Sequence, residues 1–203
     1  MSAALYCALV HHPVRDRDGK TVTTAVTTLD VHDISRSART YGLRGYFVVT
    51  PIAAQATLVN RILEHWHLGA GGRRMPERTE ALSLCQVADS IADVQGAVAA
   101  REGQPPVIVA TAARSMGRPT VAFVEMSKRL QTDSRPHLLL FGTGHGLADA
   151  VLDSADELLE PICGPTNYNH LSVRSAVAIV LDRMCGSLAH GSTADVDLHL
   201  SAW

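Results

Sequence analysis

A chain of 203 residues, 46% of them hydrophobic and 19% charged, is long enough to bury a core of its own, and it reads as one globular domain over residues 1–190 followed by a tail over 191–203. An aromatic content of 4% argues against a base-stacking platform for single-stranded nucleic acid, and a formal net charge of −2 argues against strong non-specific nucleic-acid binding by whole-protein charge, leaving local patches. Cys7, Cys85, Cys163 and Cys185 form no Cys-x-x-Cys pair, which fits neither a zinc site nor a disulfide framework; with no apolar run of membrane-spanning length and no charged leader before the first apolar stretch, the expected setting is the cytoplasm, with no membrane partner.

Residues 4–10 are an apolar strand closed by His11-His12-Pro13, and residues 15–20, Arg-Asp-Arg-Asp-Gly-Lys, read as a polar surface turn. Residues 30–41 have helical spacing, with Ile34, Ala38 and Tyr41 on one face and Gly42 as the C-terminal stop. A strand over 46–50 ends at Pro51, and a helix over 53–66 carries Leu58, Ile62 and Leu63 on its apolar side. A basic glycine-rich loop over 69–76 precedes a short helix or strand over 78–84, a helix over 90–101 and a buried strand over 107–110. A short helix over 125–131, a buried strand over 138–141 and a last helix over 172–185 follow. Short, wholly apolar strands separated by helices predict the α/β class, a parallel sheet with helices on both faces. Residues 191–203 have no stable period and read as a loosely held tail, with Trp203 as a side chain that could dock on the body.

The chemistry concentrates in residues 138–183. The apolar strand ends in Gly142-Thr143-Gly144-His145-Gly146-Leu147, and a second glycine-bearing loop, Pro161-Ile162-Cys163-Gly164-Pro165 through His170-Leu171-Ser172-Val173, opens straight into a helix. Two such loops present backbone N–H and C=O groups to a small ligand. The first is not a dinucleotide fingerprint, since Leu147 stands where a third glycine or alanine is needed and no βαβ half follows; it is not a phosphate-binding P-loop either, since no Gly-Lys-Ser/Thr is present. His65 and His67 flank Trp66 but do not share a helix face, so no metal site is expected. Arg73, Arg74 and Arg78 surround the glycine-rich loop, either as a track for a phosphate backbone or as an ordinary exposed loop.

Four segments in order, His11-His12-Pro13, residues 30–42, residues 141–147 and residues 164–174, resemble the SPOUT class of S-adenosylmethionine-dependent RNA methyltransferases. Within it the chain looks most like a small bacterial family similar to a domain fused, in some bacteria, behind the tRNA guanine-N1 methyltransferase. The resemblance spans roughly residues 4–183. It implies a C-terminal trefoil knot, S-adenosylmethionine as methyl donor, tRNA or rRNA as substrate, and a homodimer with acceptor sites at its interface. The helix over 30–41 (Ile34, Ala38) and the last helix (Val173, Val177, Val180, Leu181) offer apolar stripes for such a partner.

The resemblance also implies a donor site made of three loops. Thr111 belongs to the first, Phe141, Gly142, Thr143 and Gly144 to the second, and Ile162, Gly164, His170, Leu171, Ser172 and Ser175 to the third, with Ile162 and Leu171 placed to sandwich a purine. Many members carry an arginine six residues after an Asn and six before a Gly on the first helix; Asp30, Arg36 and Gly42 have that spacing, with Asp30 in place of the Asn. Arg36 is therefore the catalytic candidate, as a holder of phosphate or of negative charge on the acceptor rather than as a base. The ribose-methylating branch commonly ends its third loop Ser-Leu-Asn-Val-Ser, where this chain has His170-Leu171-Ser172-Val173-Arg174, and often has Glu where Thr143 stands. These departures speak against ribose methylation. His170 is the second catalytic candidate, as general base, with a helix N-cap role for Asn169 or His170 as the alternative. His11-His12 could line the acceptor pocket. A catalytically silent donor-binding RNA-binding or regulatory module is the competing function, and a nicotinamide-dependent oxidoreductase a more distant one.

Overall fold

The computed structural model describes residues 3–69, 72, 74–115 and 117–186. Arg73 and the expected tail over 191–203 with Trp203 lie outside the described residues. Six strands form one parallel sheet: β1 (Leu5–Val10), β4 (Gly45–Val49), β5 (Cys85–Ala88), β6 (Val107–Ala110), β7 (His137–Gly142) and β8 (Glu157–Leu158), in the order β5-β4-β1-β7-β6-β8. At its centre Cys7 of β1 stands opposite Tyr46 on β4 and Leu139 on β7.

The period-2 alternation of β1 divides the core into two layers. Leu5, Cys7 and Leu9 pack with Val31 and Ile34 of α1 (Thr28–Thr40), Val59 of α2 (Ala53–His67), Met126 of α5 (Phe123–Thr132) and Val177 of α7 (Val173–Leu181). Tyr6, Ala8 and Val10 face the other way, onto Val94 and Val98 of α4 (Ile91–Glu102) and Val151 and Leu152 of α6 (Asp149–Ser154). Both faces of β1 are thus covered, which is why it reads as an uninterrupted apolar run; each buried aliphatic side chain contributes about 1.5–3 kcal/mol.

Local chemistry fixes the ends. Thr27 caps α1: its Oγ1 accepts from the Asp30 amide at 3.2 Å and donates to Asp30 Oδ2 at 2.6 Å, so the helix begins at Thr28, ahead of the expected residue 30. Gly42, at φ 73°, follows its last turn as expected. Ser90 and Gly103, at φ 75°, bound α4. The ambiguous segment over 78–84 resolves into α3 (Pro76–Leu82), with β5 just beyond it. The last helix is α-helical over Val173–Leu181 and widens into a π-turn over Asp182–Gly186. The polar turn over 15–20 joins a small antiparallel hairpin, β2 (Val14–Arg15) and β3 (Thr21–Val22). Two-residue strands and the six-residue α6 are too short for periodicity to register.

One expectation is corrected. Ile34, Ala38, Val177, Val180 and Leu181 are all buried, and Val173 is half-buried against the same cluster. α1 and α7 lie against each other and the sheet. Their apolar stripes are consumed inside the chain and leave no surplus for a twofold partner.

Candidate functional site

A cleft of about 800 Å³ opens where the loops after β6, β7 and β8 converge at the carboxyl ends of those strands. This is where parallel α/β sheets place ligands, and the volume lies within the roughly 300–1,000 Å³ of small-ligand sites. Thr111, Phe141, Gly142, Thr143, Gly144, Ile162, His170, Leu171 and Ser172 all line it. Gly164, Ser175 and Arg36 do not.

Each loop is anchored by its own bonds. Thr111 sends both its amide (3.0 Å) and its hydroxyl (2.9 Å) to the Leu140 carbonyl, which holds the first loop against β7. The second loop turns back on itself through the Gly146 amide to the Thr143 carbonyl at 3.0 Å. A Cβ on Gly142 would overlap the Leu147 amide and lie 2.7 Å from the Gly146 carbonyl carbon. Gly144 has φ 61°, and its Cβ would sit 3.0 Å from the Arg15 carbonyl. The glycines are therefore required by the loop's own closure and by β2, before any ligand is considered. Arg15 grips the same loop, its amide donating to Gly146 O at 2.9 Å and its carbonyl accepting from the His145 amide at 3.0 Å. In the third loop Asn169 Nδ2 donates to the Ala113 carbonyl at 2.8 Å, tying third loop to first.

Ser172, rather than Asn169 or His170, caps α7: its Oγ accepts from the Ser175 amide at 3.3 Å and lies 2.9 Å from Ser175 Oγ. Ser175 is thus a capping partner, not a wall of the cleft. His170 is exposed at the cleft with its ring edge-on to Tyr168 at 5.4 Å. Leu171, 45% exposed, and half-buried Ile162 give the cleft an apolar side suited to a flat heterocycle.

The fourth wall comes from the segment before α1 and the first turn of α1, which sequence reasoning did not place here: Thr24, Ala25, Thr27 and Asp30 all line the cleft. Asp30 is 5% exposed, and its Oδ1 accepts from Arg174 Nη1 at 3.0 Å while Asp33 Oδ2 lies 3.4 Å from Arg174 Nε. Arg174 also lines the cleft, as do Arg15 and Arg114. The signal for Thr27 was legible as Thr-x-x-Asp at a helix start; that for Arg174 was a cation in the first turn of α7, where the helix dipole disfavours it unless anions face it.

Arg36 is exposed on α1. Burial first, and then the cations of Arg78 and Arg36, pull His32 of α1 below its usual range, and α1 packs against α3. There Arg78 lies over the ring of Trp66 at 5.1 Å. His65 stands edge-on to Trp66 as well, and among the described residues no three His, Cys, Asp or Glu side chains come together as metal ligands. His11 does not line the cleft: it is fully buried behind it, and burial pulls it down to about 4 against a smaller upward pull from Asp30. The buried thiols of Cys7 and Cys85 are pushed up, by burial first, and are not nucleophiles at neutral pH.

A family model described as SAM-dependent RNA methyltransferase matches residues 4–186. A Nitratidesulfovibrio vulgaris protein named tRNA (guanine-N(1)-)-methyltransferase is 46% identical over 182 residues, covering 90% of this chain but 42% of its own length. An Aquifex aeolicus protein named only as uncharacterized is 39% identical over 180 residues, 89% of this chain and 87% of that one. This chain therefore spans less than half of the tRNA-named relative and most of the other. Among solved structures, the SpoU methyltransferase AviRb from Streptomyces viridochromogenes in complex with AdoMet superposes with a TM-score of 0.57 at 18% identity, covering 94% of this chain and 63% of that one. At that identity the likeness is one of fold.

Proposed function

Because the chain belongs to the SAM-dependent RNA methyltransferase family, matched over residues 4–186, we propose that it methylates a structured RNA, tRNA or rRNA, with S-adenosylmethionine held in the cleft at the carboxyl ends of β6, β7 and β8. The observation that carries the reading is the lining of that cleft: a self-closed glycine loop over 142–147 beside an apolar side of Phe141, Ile162 and Leu171, with Asp30 opposite. Glycine backbone admits close approach of a ligand edge, and the exposed aliphatic side chains cover a purine plane. The sulfonium supplies its own leaving group, so the protein has to orient donor and acceptor, exclude water and assist loss of the acceptor proton. His170, exposed at the mouth, is the side chain we assign to that proton.

The trefoil knot belongs to the same reading: after β8 the chain passes back beside the first loop, where Asn169 is bonded to Ala113, before entering α7. A homodimer is also part of the proposal, on other grounds than the buried stripes. Leu29, 58% exposed, immediately precedes Asp30, exposed Leu171 lies three residues before its partner Arg174, and Arg36 is exposed on the same helix as Leu29. A second copy covering these leucines would supply Arg36 to the mouth of its neighbour's cleft. The free thiols, and the absence of any described helix long and apolar enough to cross a membrane, agree with the cytoplasmic setting we propose.

Titration calorimetry with S-adenosylmethionine and S-adenosylhomocysteine, followed by transfer of labelled methyl to total tRNA and rRNA, tests the reading. Donor binding with transfer to one RNA pool is the expected result. Donor binding without transfer to any pool would select the silent module, and NAD binding without donor binding would overturn the proposal.

A further inference from the structure

Behind the second loop a chain of hydrogen bonds runs from a buried histidine to the half-buried threonines at the cleft. His11 Nδ1 is 3.1 Å from Thr24 Oγ1, Thr24 Oγ1 is bonded to Thr143 Oγ1, and Thr143 Oγ1 is 3.1 Å from the Val10 carbonyl, which also accepts the Thr143 amide at 3.2 Å. His11 is fully buried, and its Nε2 has no partner among the described residues. Thr24 and Thr143 both line the cleft.

The directions follow from the donors and acceptors available. The Val10 carbonyl can only accept, so the Thr143 hydroxyl donates to it, and the Thr24 hydroxyl donates to Thr143. Thr24 then accepts from His11 Nδ1–H, and the bare Nε2 carries a lone pair; the opposite tautomer would bury an N–H without an acceptor, the costlier orphan. In the one alternative, the Thr24 hydroxyl donates to the His11 carbonyl, at the outer limit of 3.5 Å, and Thr143 donates to Thr24. Either way both hydroxyl protons are taken up by acceptors of the protein itself. A hydroxyl whose proton is committed within the protein offers a ligand only its remaining lone pairs.

We propose that Thr24 and Thr143 form an acceptor-only edge of the cleft, held in that state by His11 as a positioning residue, and that this edge seats an N–H or O–H donor of the bound ligand. It rests on the reading of the cleft as the donor site. The candidate groups share one chemistry: the ammonium or a ribose hydroxyl of the methyl donor, or a hydroxyl or amine of the RNA acceptor. A carbonyl, carboxylate or phosphate oxygen is refused there, because no proton remains to meet it. Burial keeps the imidazole uncharged at neutral pH, so a single N–H is fixed toward Thr24.

The test pairs protein variants with ligand analogues. S-adenosylhomocysteine and its desamino, 2′-deoxy and 3′-deoxy analogues are titrated calorimetrically into wild type, Thr143→Val and Thr143→Ser. One analogue should bind wild type about tenfold more weakly than the parent, Thr143→Val should lose a similar factor for the parent and no longer distinguish the two, and Thr143→Ser should recover most of the loss. Should no analogue couple, while Thr143→Val keeps its affinity but slows transfer at saturating donor about tenfold or more, the seated group lies on the RNA, which also supports the edge. His11→Leu should reproduce the Thr143→Val defect, and His11→Asn, whose amide N–H can replace Nδ1–H, should recover most of it. Nitrogen-15 spectra of the His11 ring should show protonated Nδ1 and bare Nε2 at pH 7, a readout independent of any ligand and of whether His11→Leu folds. Wild-type affinity and transfer rate in Thr143→Val, or a doubly protonated His11 ring, would overturn the inference alone. A wild type that binds no S-adenosylhomocysteine overturns the donor-site reading and this inference with it.

Discussion

Arg174 and Asp30 meet at 3.0 Å across the start of α7 and the start of α1, and they are two of the positions at which the chain departs from the motifs it resembles. Asp30 stands where an Asn is usual, and Arg174 where the third loop of the ribose-methylating branch ends in Ser. The two side chains are complementary: the carboxylate of one helix is paired with the guanidinium of the other, with Asp33 as a second anion at 3.4 Å. The pair fixes the N-terminus of α7, and with it the third loop, against the wall of the cleft. It also explains how a cation is tolerated at the positive end of a helix dipole.

Arg174→Ser alone should leave Asp30, 5% exposed, without its counter-ion, and lower stability by about 1–2 kcal/mol in urea denaturation, less than for a fully buried pair because Arg174 is partly solvated. Adding Asp30→Asn should recover most of that loss. Strictly additive effects in the double variant would show that the pair is not coupled.

Acid should destabilise the fold ahead of carboxylate titration. His11, His32 and His137 are all held below the usual histidine range, by burial first in each case. A histidine with a depressed folded pKa binds its proton more readily unfolded, so its contribution is full above about 6.5 and is lost as pH falls toward the folded value. For His11, pulled to about 4, the loss between pH 6.5 and 4 is on the order of 3 kcal/mol. Urea midpoints measured across that window should fall with pH for wild type and fall less for His11→Asn.

Glycine substitutions should separate closure of the second loop from general tolerance. Gly142→Ala would drive a Cβ into the Leu147 amide, and should lower both stability, by about 2 kcal/mol or more, and affinity for S-adenosylhomocysteine. Gly96→Ala, on α4 with nothing within 4 Å of the new Cβ, should stabilise by about 0.5–1 kcal/mol and leave binding alone. Thermal unfolding and calorimetry of the two variants check the contrast.

Arg36 lies outside its own cleft, so if it serves methyl transfer it does so across a dimer. Arg36→Ala should keep donor affinity and lose about a hundredfold in transfer at saturating donor, with Arg36→Lys recovering little if a forked contact is needed. A mixed dimer of Arg36→Ala with Gly142→Ala should regain activity, because the intact cleft of one copy receives Arg36 from the other. A monomer mass in light scattering, or a mixed dimer no more active than its parents, would remove Arg36 from the neighbour's site.

The sequence by itself determined the class of fold and most of the cleft. The apolar runs at β1, β4, β6 and β7 are buried on both faces and so carry no solvent-side interruption, and the strand-to-glycine step at Phe141-Gly142 marks a loop whose closure only glycine permits. What tertiary structure decided was which distant groups share one space. Thr24, Thr27 and Asp30 lie more than a hundred residues from Thr143 and Arg174, and their meeting depends on β1 and β7 being neighbours in the sheet, a non-local pairing that no local spacing encodes. The same contact geometry turned the stripes of α1 and α7 inward, because a helix face reads as apolar whether a partner chain or its own sheet covers it. His11 was legible as a strand end and a candidate for the acceptor pocket; that it is buried behind the cleft, its ring bonded among the described residues only to the Thr24 hydroxyl, was decided by the tertiary structure.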